Sequence, residues 1–366
     1  MPEKPVRLYT DLAFRATPLE RSLMPIVWAH VDNGSDTEKL TKHHARWRSF
    51  KLVQTMEKAD WCVLPSTWNA YVRENKTDLA AAFCQTAAEH GKLVLVWCGG
   101  DSEWILPLEN AVQVQEGLHD GLQRRVHLAL ERPGFVEDYI ERFENGVWAP
   151  LAKADRPRVG FCGLAAPGLR YRTLFHARNL ATKVRYACRR SDVVPVLHGD
   201  PVALRLRALR HLDQHPGVET SFIVRRRYLA GLGKADLEGK LAHPTRTEFV
   251  NNILENGYTV CVRGQGNFSK RFYETLACGR IPVLVSTDSM LPFDGIVDWN
   301  RYIVRVEHHD LDRLGDTLCD FHASLSPEDF VERQAACRQL WLEMLSTEGY
   351  YSNFYRYLTL GSREGP

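Results

Sequence analysis

No stretch of this sequence is apolar over the ~18 residues that a membrane span needs, and none is repetitive or of low complexity. The first residues include Pro2, Glu3, Pro5 and Arg7 where an apolar leader would need a hydrophobic run. The nine cysteines contain no C-x-x-C pair. Odd in number, scattered, and set in apolar runs at Cys62, Cys98 and Cys261, they read as buried thiols of a reducing compartment. A surplus of one charge is also missing, since 47 Lys and Arg against 45 Asp and Glu leave +2, too little to indicate a nucleic-acid partner. His308-His309-Asp310 is the nearest approach to a metal motif, and no further ligand stands at metal-binding spacing. These absences lead to the expectation of a cytoplasmic protein without a bound metal, whose membrane contact is at most peripheral, at the inner face.

What is present is ordinary globular composition, 44% hydrophobic and 25% charged, in 366 residues, a length suited to two domains. The chain is organised around Tyr258 to Val285. Tyr258 to Val262 is a β-branched run, Gly264 and Gly266 break it, and Phe268, Phe272 and Leu276 then recur at helical spacing. Gly279 stops that helix and Pro282 to Val285 reads as the next strand, which completes a βαβ unit. Its charges are unusual. The first turn of a helix favours acids, yet Lys270 and Arg271 stand there, with Arg263 at the preceding strand end. Cations and loop N–H groups at a helix N-terminus suit a phosphate, and a diphosphate is the natural ligand. Asn267, Phe268 and Ser269 complete the loop, and Glu274 one turn on is placed to accept from ribose hydroxyls. The competing reading makes Lys270, Arg271 and Glu274 simple surface pairs worth about 0.3–0.5 kcal/mol, but it leaves Arg263 and the two glycines unexplained.

The run R-G-Q-G-N-F-S-K-R-F-Y-E-T-L-A-C-G-R-I-P-V from Arg263 to Val283, followed by L-P-F-D-G-I-V-D-W-N-R-Y-I-V-R-V to Val306, resembles the exostosin-type glycosyltransferases. The resemblance is specific over about 50 residues and weaker at Arg158 to Gly163. It implies an α/β protein of GT-B type, two Rossmann-like domains whose parallel sheets face across a cleft. The C-terminal domain would hold a nucleotide sugar, UDP-linked by preference, and the N-terminal one would meet the acceptor. Animal relatives carry a membrane anchor, and this chain is expected to depart from them there.

The rest of the chain fits two such halves. Val6 to Tyr9, Pro25 to Val31, Ala59 to Pro65, Lys92 to Asp101 and Ala111 to Gln115 read as strands. His43 to Lys58, Leu79 to Glu89 and Pro133 to Phe143 read as helices. An irregular stretch between about Asn145 and Arg158 reads as a linker, giving a first domain over 1–150 and a second over 158–337. The GT-B resemblance adds a final segment, about 338–360, that packs back on the first domain. In the second domain Arg158 to Gly163 is the first strand, and Gly163 gives a ligand room near the backbone. In the helix that follows, Leu174, Ala177, Ala181, Val184 and Cys188 share one face, flanked by Arg178, Arg185 and Arg189. Arg170 and Arg172 near its start, and Arg225 in the Arg225-Arg226-Arg227 run, are further phosphate-binding candidates. The basic stripe continues through Arg205, Arg207 and Arg210; it reads as a solvated face, with anionic lipid or an anionic acceptor as the alternatives.

Inverting sugar transfer needs a cationic pocket for the leaving diphosphate and a base for the attacking hydroxyl. Arg263 and Arg271 supply the charge without a metal or other cofactor. For the base, Asp101 follows Gly99 and Gly100 at a strand end, near Glu103, while His30 and Asp32 occupy an equivalent loop; each of the three is equally a turn or cap residue. The acceptor expected is a glycan or lipid-linked glycan of surface polysaccharide synthesis. A non-catalytic nucleotide-sugar or glycan-binding subunit and a nucleotide-sugar epimerase on the same scaffold remain open.

Overall fold

The computed structural model describes residues 4–17, 27, 49–122, 129–166, 168–227, 231 and 243–360. Six parallel strands, β1 (Val6–Tyr9), β2 (Phe50–Leu52), β3 (Trp61–Val63), β4 (Val94–Trp97), β5 (Ala111–Gln115) and β6 (Ala129–Glu131), form one sheet in the order β2-β1-β3-β4-β5-β6. Five more, β7 (Arg158–Leu164), β8 (Glu219–Arg225), β9 (Tyr258–Val262), β10 (Ile281–Ser286) and β11 (Val304–Glu307), form a second parallel sheet in the order β11-β10-β9-β7-β8. Every residue of β4, β9 and β10 is buried, as near-continuous apolar strands covered on both faces must be.

Counted within its own half, the first sheet runs 2-1-3-4-5-6 and the second 2-1-3-4-5, both the doubly wound order. The fold is therefore two Rossmann-like domains, the GT-B organisation. In each sheet the strand order reverses once, between β1 and β3 and between β7 and β9, and open α/β sheets hold ligands beyond the strand C-termini at that point.

The loops at those C-terminal ends meet directly. Ile105 N donates to Asp192 O (2.8 Å) and Val194 N to Glu103 O (2.8 Å). A second seam joins Asp120 N to Asp288 O (3.0 Å) and Met290 N to Leu118 O (3.1 Å). Gly117 permits this approach: its φ is +79°, and a Cβ there would sit 2.9 Å from Asn267 N.

Several elements differ from their sequence-based expectation. Within the helix expected over His43 to Lys58, Phe50–Leu52 is instead β2, because Phe50 turns into the core while Lys51 faces out, the alternation of a strand. The expected strand Pro25 to Val31 lies outside the described residues except for buried Val27. The helix expected from Pro133 is confined to Tyr139–Phe143, where the Asp138 carboxylate caps the N–H groups of Ile140 and Glu141. This segment lies on the second domain: Asp138 pairs with Arg338 at 2.7 Å and the Trp148 indole donates to Cys278 O at 3.1 Å. Beyond the helix Pro327–Leu340, Phe354 packs against Phe50 and Trp97 of the first domain, and the Tyr357 hydroxyl donates to Glu131 O (3.1 Å). In the helix Leu169–Ala187 the apolar positions Leu174, Ala177, Ala181 and Val184 face outward, as does Cys188 at the C-cap. Phe175, Tyr171 and Asn179 make its packed side instead. Among the described residues no helix is long and apolar enough to cross a membrane.

Candidate functional site

Three arginines gather at the reversal point of the second sheet. Arg263 follows the last residue of β9 and is buried to 3% exposure, and its Nη2 donates to Leu197 O (2.6 Å) and Gly199 O (2.7 Å). Arg205, on the helix Pro201–Asp213, sends Nη1 to Leu164 O at the end of β7 (2.6 Å) and Nη2 to Arg263 O (2.9 Å). Arg271, in the first turn of the helix Lys270–Ala277, lies 4.3 Å over the Phe161 ring and donates to Cys162 O (2.6 Å).

All three guanidinium groups are paired with backbone carbonyls. Among the described residues none of them forms an ion pair, and the buried Nε of each has no hydrogen-bond partner. Burial accordingly pulls Arg263 and Arg205 down to about 10, the charge of Arg271 adding to the effect on Arg205, and burial lowers Arg271 as well. Buried donors without partners and desolvated like charges, which Asp200 and Glu274 offset only through space, are the kind of environment that favours an anion.

The other sequence-derived candidates sit around this cluster. Gly163 makes room for Arg271 itself, whose Nη2 is 2.7 Å from where a Cβ would be. Gly264 N closes a tight loop onto Phe268 O (2.9 Å). Gly266 presses that loop against the first domain, a Cβ there falling 2.9 Å from Asp101 O. Asn267 spends its whole hydrogen-bond capacity inside the protein, donating to Leu118 O and Asp288 O and accepting from the Thr287 and Ser289 hydroxyls. It is a strut between the domains. Phe268 packs against the core. Ser269 is the N-cap of the following helix without making a side-chain capping bond, and Lys270 is exposed beside it. Glu274 accepts from the Tyr139 hydroxyl (2.8 Å), which in turn accepts from Arg246 (2.9 Å). Arg225 is paired with Glu248 and donates to Thr245 O (3.2 Å), though its charge still bears on Arg271. Arg170 and Arg172 are exposed at the start of the helix Leu169–Ala187.

On the first-domain side, His30 and Asp32 lie outside the described residues. The Asp101 side chain is exposed at the rim, with its own carbonyl against Gly266. A different pair occupies the interior. His119, in the loop after β5, is held at Nδ1 by Glu103 Oε2 (2.5 Å), and its backbone N–H donates to Glu103 Oε1 (3.1 Å). Both side chains are buried, and His119 Nε2 has no partner. Glu131 holds the same loop by accepting from Gly117 N (2.7 Å) and Leu118 N (2.9 Å), and burial raises its carboxyl well above the usual range. The His119 ring lies 5.8 Å from that of His198, which lies 4.5 Å from that of His308, and the turn carrying His198 is the one Arg263 clamps.

Sequence reasoning passed over His119 and left Arg205 in a surface stripe. The signal for the first was a polar E-G-L-H-D-G loop directly after a buried strand, the place where such sheets keep their chemistry. The signal for the second was weak, because helical arginines are common on solvated faces. Among the described residues no group of three or more His, Cys, Asp or Glu is placed to hold a metal.

Residues 219–320 match the model of the Exostosin GT47 domain, a span that contains the whole Arg263 to Val306 stretch. A probable glucuronosyltransferase of rice is 27% identical over 92 residues, 25% of this chain and 20% of that protein. Probable glucuronosyltransferase 47 A of the moss Physcomitrium patens is 31% identical over 77 residues, 21% and 16% of the two chains. The matched region thus spans about a fifth or less of these relatives. Among solved structures, Anabaena HepE in complex with UDP-glucose aligns over 97% of this chain and 99% of its own, at 10% identity and a TM-score of 0.35.

Proposed function

We propose, on the premise that residues 219–320 form an exostosin-type GT47 domain, that this chain is an inverting glycosyltransferase moving a sugar from a UDP-sugar to a glycan or lipid-linked glycan hydroxyl. The observation that carries the proposal is the arginine cluster: Arg205, Arg263 and Arg271 converge at the strand-order reversal with unpaired Nε donors and no carboxylate ion pair among the described residues. A diphosphate meets that demand. As the bond from the anomeric carbon to the phosphate oxygen breaks, the departing electron pair ends on the β-phosphate. There fixed positive charge stabilises it. Ser269 and Lys270 add a hydroxyl and a charge at the helix N-terminus, and Glu274 receives the ribose.

The base assigned here is His119. A carboxylate at Nδ1 fixes the tautomer with its lone pair on Nε2, and that nitrogen takes the acceptor proton as the acceptor oxygen attacks the anomeric carbon. Because Nε2 is enclosed between the domains, the acceptor enters when they part and reacts when they close. Asp101 is kept as the second candidate because its backbone borders the donor loop at Gly266. The test is a panel of nucleotide sugars scored for thermal stabilisation and then for turnover. UDP-sugars should stabilise the protein, and one should be consumed in an acceptor-dependent way. Stabilisation without turnover would leave a binding subunit, turnover without acceptor an epimerase, and stabilisation by none would overturn the proposal.

A further inference from the structure

The helix Leu169–Ala187 is nineteen residues long, and among its described side chains only Phe175 is buried. On the side facing away from the domain, Leu174, Leu180 and Val184 are 48%, 63% and 55% exposed. Ala177 and Ala181 link them into a continuous strip at the i, i+3, i+4 and i+7 spacings of one helical face. Arg178 and Arg185 border the strip on one flank and Lys183 stands on the other, all exposed. From Gly168 to Arg190 there is no Asp or Glu at all.

A solvated face of a soluble helix is polar, and an apolar stripe normally points inward. Here the stripe points outward and its borders carry only positive charge. Charge complementarity selects an anionic partner, and the narrow apolar strip between cations selects one with an apolar layer directly beneath its anions. We infer that this helix docks on an anionic lipid surface, with Leu174, Leu180 and Val184 at the acyl boundary and the arginines and lysine among the headgroup phosphates. The helix is coupled to the loop after β9, since Gln265 donates to the Tyr171 hydroxyl (3.0 Å). Docking therefore holds that loop about 10 Å from the bilayer, across the width of one helix, on the side from which a lipid-carried acceptor would come if the transferase proposal holds. Binding itself does not depend on that proposal.

The full chain is tested by co-sedimentation with phosphatidylcholine vesicles with and without phosphatidylglycerol. Binding is expected with the anionic vesicles only, weakening as salt is raised. Leu180→Asp with Val184→Asp should weaken it at least about tenfold by placing charge in the acyl boundary. Arg178→Gln with Arg185→Gln should also weaken it about tenfold or more. The melting temperature and its increase with UDP, read on the same variants, should be unchanged, which separates loss of docking from loss of fold or of donor binding. Absence of vesicle binding by the parent chain would overturn the inference, as would equal binding to neutral vesicles or equal binding by both variants. Concentration-dependent self-association that Leu180→Asp abolishes would give the strip to a second copy of the chain and overturn it too.

Discussion

Replacing Arg271 by methionine removes one guanidinium from the cluster while leaving a flexible apolar side chain over Phe161. In the unliganded protein opposing terms meet. The loss is one charged hydrogen bond to Cys162 O, about 1.5–3 kcal/mol, and a ring contact of about 0.5–2 kcal/mol. The gain is relief of the desolvation that lowers the Arg271 pKa, so the stability of the unliganded protein should change by no more than about 2 kcal/mol. With a diphosphate bound the loss is one-sided. Removing one partner of a desolvated charge pair costs about 2–5 kcal/mol, which raises Kd about 30-fold or more. At UDP one hundred times the parent's Kd, stabilisation of about 2.7 kcal/mol should fall to about 0.9 kcal/mol. For a domain of this size that is a drop in the thermal shift from roughly 5–11 °C to about 2–4 °C. The assay is a UDP titration followed by thermal unfolding, with circular dichroism to show that Arg271→Met is folded. A variant stabilised as strongly as the parent would refute the placement of the diphosphate against Arg271.

Further outcomes can be read on the same protein. His119→Gln should lower transfer by about 10² to 10⁴ with little change in UDP affinity. Asp101→Asn should lower it less, and the reverse ranking would return the role of base to Asp101. Glu274→Gln should weaken UDP binding and leave pyrophosphate affinity unchanged, because a ribose contact is absent from the smaller ligand; equal losses for both would exclude that contact. Gly117→Ala puts a side chain on a residue at φ +79° and within 2.9 Å of Asn267 N, so it should cost about 1–3 kcal/mol and speed amide exchange at 117–121 and 287–290. Unchanged exchange there would mean that the seam does not hold the domains. His198 and His308 have pKa values lowered, chiefly by burial and then by His308 for His198 and by His309 for His308, with Arg263 adding to both. The unfolded chain therefore binds protons first. Their contribution to stability is complete above the unfolded histidine value of about 6.5 and is lost as pH falls through it towards the lower folded values. The melting temperature should decline more steeply below that pH in the parent than in His308→Asn, and parallel declines would remove His308 from the account.

How much was legible depended on whether the signal was local. The strand–loop–helix unit around Gly264 and Gly266 could be read because strand period, turn glycines and helical spacing all lie within thirty consecutive residues. Phe50–Leu52 was missed because three residues do not establish a period of two, and its alternation has meaning only beside β1. The outward strip of Leu174, Leu180 and Val184 has a helical spacing that looks the same whether it faces a core or a bilayer. Glu103 and His119 are sixteen residues apart, and the parallel pairing of β4 with β5 is what brings their loops side by side.

The sequence by itself determined that the chain would build alternating strands and helices in two halves, and it set basic residues and loop glycines at one helix N-terminus, because propensity, capping and charge act over a few residues. Tertiary structure decided which cations share that place. Arg205 joins Arg263 because their segments flank one reversal in strand order, and Asn267 is a strut because the Leu118 and Asp288 carbonyls converge on it. Such contacts pair residues tens to more than a hundred positions apart, and their energies depend on desolvation and mutual geometry that exist only once the sheets have formed.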